Sequence, residues 1–350
     1  MSKILIFYSK TGAGHLRAAE ALSEHLKLLD QTLQIQLIDG MATDNFGSKT
    51  HPEEVFYLFS SKLRFLYNFL YQSFDNKQGV FLIRLLFKLI FGSLVERKIK
   101  EFSPDLVVST HPAIRAQVMV CVDLGKPHLL WFDQKADQIV VPDQVVADYG
   151  AKFLNRNKIN ILGYPLKADF KTPKKKHKIS NTILILGGGA GVGSIEEQVR
   201  TLTNNFPEKK FIVVCGFNSR LKQELLSKNI ANLEVLGFTD QLPWLVGDSD
   251  MVLTKAGPGS IVEAAILKTP LIITSWITWQ EKENVEYVVN NNLGLYCPDV
   301  NNLPSSIEAV YRDYQKYSHG EIELAHGSDK IARFLVSLLP EINQGSKNIK

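Results

Sequence analysis

Short apolar runs alternate with amphipathic stretches along nearly the whole chain, and that alternation leaves few folds open. KILIFYS (3–9), LQIQLIDG (33–40), PDLVVST (104–110), HLLWFD (128–133) and QIVVP (138–142) read as strands. HLRAAEALSEHLKLL (15–29) carries apolar residues at helical spacing, and another helix is expected to start near Asp143. Residues 166–181 then turn polar, with four lysines around His177, and read as a solvated linker rather than a binding patch. A second series follows: TILILGGG (182–189), FIVVCG (211–216), LEVLG (233–237), MVLTKAGPG (251–259), LIITS (271–275) and LGLYC (293–297). Strand–helix alternation means a mostly parallel sheet with helices on both faces. The expected architecture is α/β, with two doubly wound Rossmann-like domains at 1–165 and 182–335 facing each other across a cleft, and a polar tail at 336–350. Ligands of such sheets gather at the carboxyl ends of the strands.

Composition narrows the class. A chain of 350 residues, 45% hydrophobic and 22% charged, fills two cores and is neither disordered, collagen-like nor a disulfide scaffold. A net charge of +4 gives no argument for nucleic acid. The three cysteines, Cys121, Cys215 and Cys297, lie far apart and form no CxxC pair, as expected of reduced thiols in a cytoplasmic protein. Ile4 to Tyr8 is short and ends in a glycine turn, which suits a buried strand and not a secretory signal. GVFLIRLLFKLIFGSLV (79–95) is interrupted by Arg84 and Lys88 and is shorter than the roughly 20 apolar residues of a membrane span.

Four strand ends carry loops suited to a ligand. Ser9-Lys10-Thr11-Gly12-Ala13-Gly14-His15 runs straight into a helix, whose N-terminus offers unpaired N–H groups. It is neither a P-loop nor a full GxGxxG, and a tight turn before a helix explains it equally. Gly187 to Gly193 holds five glycines in seven positions, costly unless a ligand approaches the backbone. A dinucleotide site is the alternative there, but FIVVCG ends in Cys215-Gly216 without the acid that would bind a ribose. In the third loop, Thr254 to Ala264, a helix expected to start near Ser260 would present amides to a diphosphate, and Glu263 would accept ribose hydroxyls. Gln280, Glu281 and Asn284 open a fourth helix with amide and carboxylate groups suited to a hexose, although acidic first turns are also common caps.

Together, TGAGHLRAAEAL (11–22), STHP (109–112), GYP (163–165), GGGAGVG (187–193), GFTDQLPWLVGDSDMVLTKAGPGSIVEAA (237–265) and QEKENVEYVVNNNLG (280–294) resemble the GT-B glycosyltransferases. The likeness is to monogalactosyldiacylglycerol synthases and processive diacylglycerol glucosyltransferases, and covers roughly residues 1–335. It implies a UDP-hexose donor in the second half, a lipid acceptor in the first, inversion at the anomeric carbon, and neither metal nor cofactor. By the same resemblance Phe238 lies against the base and Gly257, Gly259 and Ser260 bind the diphosphate. Glu263 holds the ribose, and Gln280 and Glu281 hold the sugar. Gly187, Gly188, Gly189, Lys255, Pro258 and Asn284 complete the donor side, and Gly12, Gly14 and His111 face the acceptor.

The acceptor hydroxyl needs a general base. His15 is the first candidate, since a neutral imidazole accepts a proton at cytoplasmic pH. Asp133 is the second. The family carries a T-D loop followed by His and Trp, and two placements compete. Asp123, His128 and Trp131 fit the spacing but leave little chain for the preceding helix and strand. Reading KPHLLWFD as the strand makes Asp133 the motif aspartate, and this placement is preferred.

Residues 55–100 hold eight Lys or Arg and two acids, a balance of +6, with aromatics interleaved. Such a segment suits an anionic bilayer and places the protein at the inner face of the cell membrane, although a pair of core helices is the plainer account. A UDP-N-acetylglucosamine 2-epimerase and a non-catalytic UDP-binding membrane subunit are the alternatives to a lipid glycosyltransferase.

Overall fold

The computed structural model describes residues 1–10, 13–42, 64–170, 180–187, 194–276, 279–318 and 327–340. Among them are two six-stranded parallel sheets. The first comprises β1 (Lys3–Tyr8), β2 (Gln34–Asp39), β3 (Leu106–Ser109), β4 (Val118–Val120), β5 (Gln138–Val141) and β6 (Ile159–Ile161), in the order β2-β1-β3-β4-β5-β6. The second comprises β7 (Thr182–Leu186), β8 (Lys210–Val214), β9 (Leu233–Leu236), β10 (Met251–Lys255), β11 (Leu271–Ser275) and β12 (Gly294–Tyr296), in the order β12-β11-β10-β7-β8-β9. The chain therefore reverses direction across each sheet between β1 and β3 and between β7 and β10. Such switch points open a crevice at the strands' carboxyl ends. The strands read as unbroken apolar runs because helices cover both faces; Ile4, Leu5, Ile6 and Phe7 are all fully buried.

The helices of the first half are α1 (Ala13–Leu29), α2 (Arg64–Ser73), α3 (Lys77–Phe102) and α4 (Gln144–Gly150). Those of the second series are α5 (Ile195–Asn205), α6 (Ser219–Ser227), α7 (Leu242–Asp248), α8 (Pro258–Ile266), α9 (Trp279–Asn290), α10 (Leu303–Arg312), α11 (Tyr314–Ser318) and α12 (Gly327–Ser337). Asp143 caps α4 as expected, accepting from the Val146 N–H at 2.9 Å. α8 begins at Pro258, slightly before the expected start, because proline is pre-set for a first turn and needs no N–H there.

Three expectations are corrected. HLLWFD is not a strand: Leu129–Trp131 form a buried 3-10 turn, and the fourth strand is Val118–Val120. No helix separates β3 from β4, so the chain is long enough for the first placement of the motif, which puts Asp123 just beyond the end of β4. Second, α12 does not pack on the core of the second half but crosses to the first. Ile331, Ala332 and Leu335 share a core with Ile4, Ala19 and Leu22. The crossing is tight: a Cβ on Gly327 would stand 2.3 Å from the Tyr164 nitrogen, and the Ser328 hydroxyl donates to the Leu166 carbonyl at 2.6 Å.

The third correction concerns residues 79–95, expected to fall short of a membrane span: they belong to a helix of 26 residues. α2 and α3 form a helical hairpin: Asn76 caps α3 by accepting from the Gly79 N–H at 2.9 Å, and a side chain at Gly79 would strike the Phe74 backbone at 2.4 Å. Val80, Phe87, Val95, Ile99 and Phe102 make a stripe packed on the domain along the length of α3. Arg84 joins that inner side, whereas Lys88 is exposed. It donates to the Leu130 carbonyl at 2.7 Å and pairs with Asp133 at 3.0 Å. On the opposite side Phe81 is 70% and Leu89 73% exposed. By length and composition, α3 is the one helix among the described residues that could cross a membrane.

Candidate active site

The two switch points face each other, and a continuous apolar seam joins the halves. Ala18, Trp131 and Tyr164 of the first half share one core with Ala256, Ile261 and Val285 of the second. The polar groups of both strand-end loops are therefore held in a partly dry crevice.

On the first side, β1 delivers the chain into the first turn of α1, where His15 sits against the end of β3. His15 Nδ1 donates to the Thr110 carbonyl at 2.6 Å, and the Thr110 hydroxyl donates to the His15 carbonyl at 2.9 Å. This pair fixes ring and tautomer together, leaving Nε2 as the nitrogen with the free lone pair. Burial pulls the His15 pKa down to about 4, against the opposing effect of the Thr110 bond. The His111 ring stands edge-on to His15, with centroids 4.7 Å apart. Burial, followed by the charges of His15 and Arg84, holds His111 well below the ordinary range. Both imidazoles are neutral near neutral pH. Gly14 has open space where a Cβ would lie, so its backbone is approachable.

Asp123, beyond β4, accepts from the Trp131 indole N–H at 2.7 Å. Burial raises its carboxyl to about 6, against the opposing Trp131 bond, and the nearby Glu281 charge raises it further. Asp133, the residue preferred from sequence, is engaged elsewhere: Arg115 reaches it at 2.6 Å and Arg84 at 3.0 Å. Burial would raise its pKa, but the Arg115 bond and the Arg84 charge outweigh that and hold it low. A carboxylate locked between two guanidiniums is a poor proton acceptor, so the geometry moves the second candidate base from Asp133 to Asp123.

On the other side, β10 ends in Lys255, and Gly257 opens α8 with no side-chain cap, leaving first-turn amides for a ligand. Lys255 pairs with Glu281 from the first turn of α9. The Glu263 carboxyl is 2% exposed. Its Oε1 meets Arg17 at 3.3 Å, while Oε2 is buried without a hydrogen-bond partner. Burial raises its pKa against the pull of Arg17. Asn284 donates to the Ala256 carbonyl at 2.8 Å, and its own Oδ1 is unpartnered. The Tyr164 hydroxyl is also unpartnered, and lies 3.7 Å from where a Cβ on Gly259 would be. Buried polar atoms normally find partners, and three orphans in one crevice mark a place built for a polar ligand. Phe238 stacks on Phe217, centroids 4.6 Å apart and planes 13° apart, with both rings exposed at the ends of β8 and β9.

The structure thus brings His15, His111, Gly14, Lys255, Gly257, Pro258, Gly259, Ser260, Glu263, Glu281 and Asn284 to the facing loops. Gly187 follows β7 at the same edge. Gly12, Gly188, Gly189 and the Gln280 side chain lie outside the described residues. Sequence reasoning missed Arg17, Thr110 as the holder of His15, the Tyr164 hydroxyl and Phe217. Arg17, Thr110 and Tyr164 lie inside the motifs TGAGHLRAAEAL, STHP and GYP, and Phe217 follows Cys215-Gly216 at a strand end, but the partner of each is remote in the chain. Among the described residues no group of His, Cys, Asp or Glu is arranged to hold a metal ion.

Comparison with known proteins places both halves. Residues 15–166 match the family model for monogalactosyldiacylglycerol (MGDG) synthase, and residues 182–336 match that for the glycosyltransferase family 28 C-terminal domain. A probable chloroplastic monogalactosyldiacylglycerol synthase 2 of Oryza sativa subsp. japonica is 26% identical over 92% of this chain and 77% of its own. The crystal structure of WaaG, a glycosyltransferase of lipopolysaccharide biosynthesis, superposes with a TM-score of 0.57 at 13% identity, covering 95% of this chain and 99% of that one. A UDP-GlcNAc 2-epimerase from Neisseria meningitidis has a TM-score of 0.53 at 14% identity, covering 97% and 99%. The shared two-domain fold therefore does not separate transferase from epimerase, whereas the family matches do.

Proposed function

The chain belongs to the GT-B glycosyltransferases of the monogalactosyldiacylglycerol synthase family, and from that premise we propose that it moves a hexose from a UDP-sugar to the free hydroxyl of diacylglycerol at a membrane surface. The observation that carries the reading is the meeting of α1 and α8 across the crevice. Arg17, two residues after His15, touches Glu263 in the helix that opens at Gly257. A nucleotide sugar with its ribose on Glu263 and its diphosphate on the first amides of α8 has its anomeric carbon turned toward His15.

The transfer then proceeds in one displacement. His15 Nε2 takes the acceptor proton while the acceptor oxygen bonds to the anomeric carbon. The carbon–oxygen bond to the diphosphate breaks, and its electron pair leaves on UDP. The amides and positive dipole end of α8 stabilise the charge that develops there. Lys255, Glu281 and Asn284 hold the sugar hydroxyls, and Phe238 with Phe217 supports the base. The chain's own groups account for these roles without a metal or cofactor.

The acceptor has to come from a bilayer, and α3 supports that. Its packed stripe holds it along its own domain, so its apolar face lies on a membrane surface rather than crossing it. Lys77 and Lys88 are exposed beside that face, suiting anionic lipid. We assign the same peripheral role to the cytoplasmic face of the cell membrane.

The test is transfer of labelled hexose from UDP-galactose and from UDP-glucose into the organic phase, using anionic liposomes with and without diacylglycerol. Label that requires diacylglycerol supports the proposal and names the sugar. UDP binding without lipid label from either donor overturns the diacylglycerol assignment, and conversion of UDP-N-acetylglucosamine instead favours the epimerase reading.

A further inference from the structure

The α2–α3 hairpin touches both halves of the molecule through its inner side. Toward the first half, the Tyr71 ring stands edge-on to His128 with centroids 4.7 Å apart. Asp75 accepts from the Leu129 N–H at 2.8 Å, and Arg84 donates to the Leu130 carbonyl. These contacts hold the turn that carries Trp131, the partner of Asp123. Toward the second half there is a different contact. The Asn68 side-chain oxygen Oδ1 accepts the backbone N–H of Trp279 at 2.8 Å.

Trp279 is the first residue of α9, and a first-turn N–H has no partner within its own helix. An Asn oxygen is among the best acceptors for such a group, but a capping residue normally precedes its helix in the chain. Here the cap comes from the other domain, 211 residues away in sequence. The first turn it holds contains Gln280 and Glu281, with Asn284 one turn further on. Glu281 lies close enough to Asp123 for its charge to act there. The outer side of the same hairpin presents Phe69, Phe81, Leu85 and Leu89 to solvent.

We propose that Asn68 is a positioning residue, fastening the start of the donor-sugar helix to the lipid-facing hairpin, so that seating the hairpin on an anionic bilayer and binding the UDP-sugar favour each other. The inference rests on the membrane and donor readings above. Its occupant is a phospholipid surface, for which the exposed Lys77 and Lys88 beside the apolar face supply the charge complementarity. The coupling must be reciprocal, because a linkage free energy belongs to the pair of events and not to either one. A side-chain cap is worth about a fivefold change in an equilibrium, which sets the expected size of the effect.

The experiment uses the full chain and vesicles of phosphatidylglycerol and phosphatidylcholine without diacylglycerol, so that no acceptor is present. UDP-galactose and UDP-glucose are titrated separately with and without vesicles, and vesicle partition is measured with and without each sugar nucleotide. For the wild type, vesicles tighten binding of the accepted sugar nucleotide about fivefold, and that ligand tightens vesicle binding by the same factor. UDP alone, which does not reach the sugar contacts of α9, shows the smaller effect. Asn68→Ala removes both factors, and Asn68→Asp, which keeps an acceptor oxygen, restores them. Equal donor affinity with and without vesicles in the wild type overturns the inference alone. So does coupling that survives in Asn68→Ala. A chain that binds neither vesicles nor either sugar nucleotide overturns the proposed function, and the inference with it.

Discussion

The two hydrogen bonds between His15 and Thr110 decide which imidazole nitrogen can accept a proton, and burial decides over what pH range it stays ready to do so. With its pKa pulled down to about 4, His15 remains neutral well into the acid range, whereas Asp123, raised by burial to about 6, takes up its proton earlier. The pH dependence of kcat/KM therefore assigns the base. An acid limb near 4 identifies His15, and one near 6 identifies Asp123. The stability effects of the two groups oppose each other. His15 contributes stability that is present above 6.5 and lost as the pH falls through about 4. Asp123 contributes stability that is complete below 3.8 and lost as the pH rises through about 6. Asp133 is predicted to matter for folding rather than turnover. Arg84→Ala, which removes one of its two guanidinium partners and leaves Arg115 in place, lowers stability by about 2 kcal/mol in a urea titration. Asp133→Asn keeps kcat within about tenfold of wild type, and a loss of about a thousandfold would restore it as the base.

Among the elements, α3 divides its duties between two faces, and substitutions separate them. Leu85→Glu with Leu89→Glu alters side chains that are 42% and 73% exposed, so the urea midpoint should stay close to wild type. Vesicle affinity should fall about a hundredfold in a flotation assay, from two leucines no longer buried in lipid. Unchanged flotation would assign that face to something other than lipid. Most elements were legible in the sequence because buried parallel strands are unbroken apolar runs that end in glycine turns, as in TILILGGG and MVLTKAGPG. HLLWF misled because a 3-10 turn buried on all sides is as apolar as a strand, while β4 is only three residues long. The destination of α12 was hidden for another reason. Its apolar stripe specifies a buried face, but only the crossing at Gly327 decides which core receives it. The inward turn of Arg84 likewise depends on Asp133, a partner that helical spacing does not reveal.

At the scale of the whole molecule, function depends on two switch points brought face to face, and the residues that join them are remote in the chain. Arg17 and Glu263 are 246 positions apart, so no motif could announce their pairing, although each half of the site was readable from its own loop. Across the same crevice, Lys126 meets Glu283 at 3.4 Å and Asn68 caps α9. The Arg17–Glu263 contact places the helix that carries His15 against the helix that opens at Gly257, and the proposed transfer mechanism rests on that juxtaposition. The most direct measurement compares wild type with His15→Ala in the diacylglycerol liposome assay while UDP affinity is followed by calorimetry. The account predicts a fall in turnover of about a hundredfold to ten-thousandfold, with UDP affinity unchanged. Turnover that survives the substitution, or UDP affinity lost along with it, would contradict the assignment of His15 as the base that takes the proton from the lipid hydroxyl.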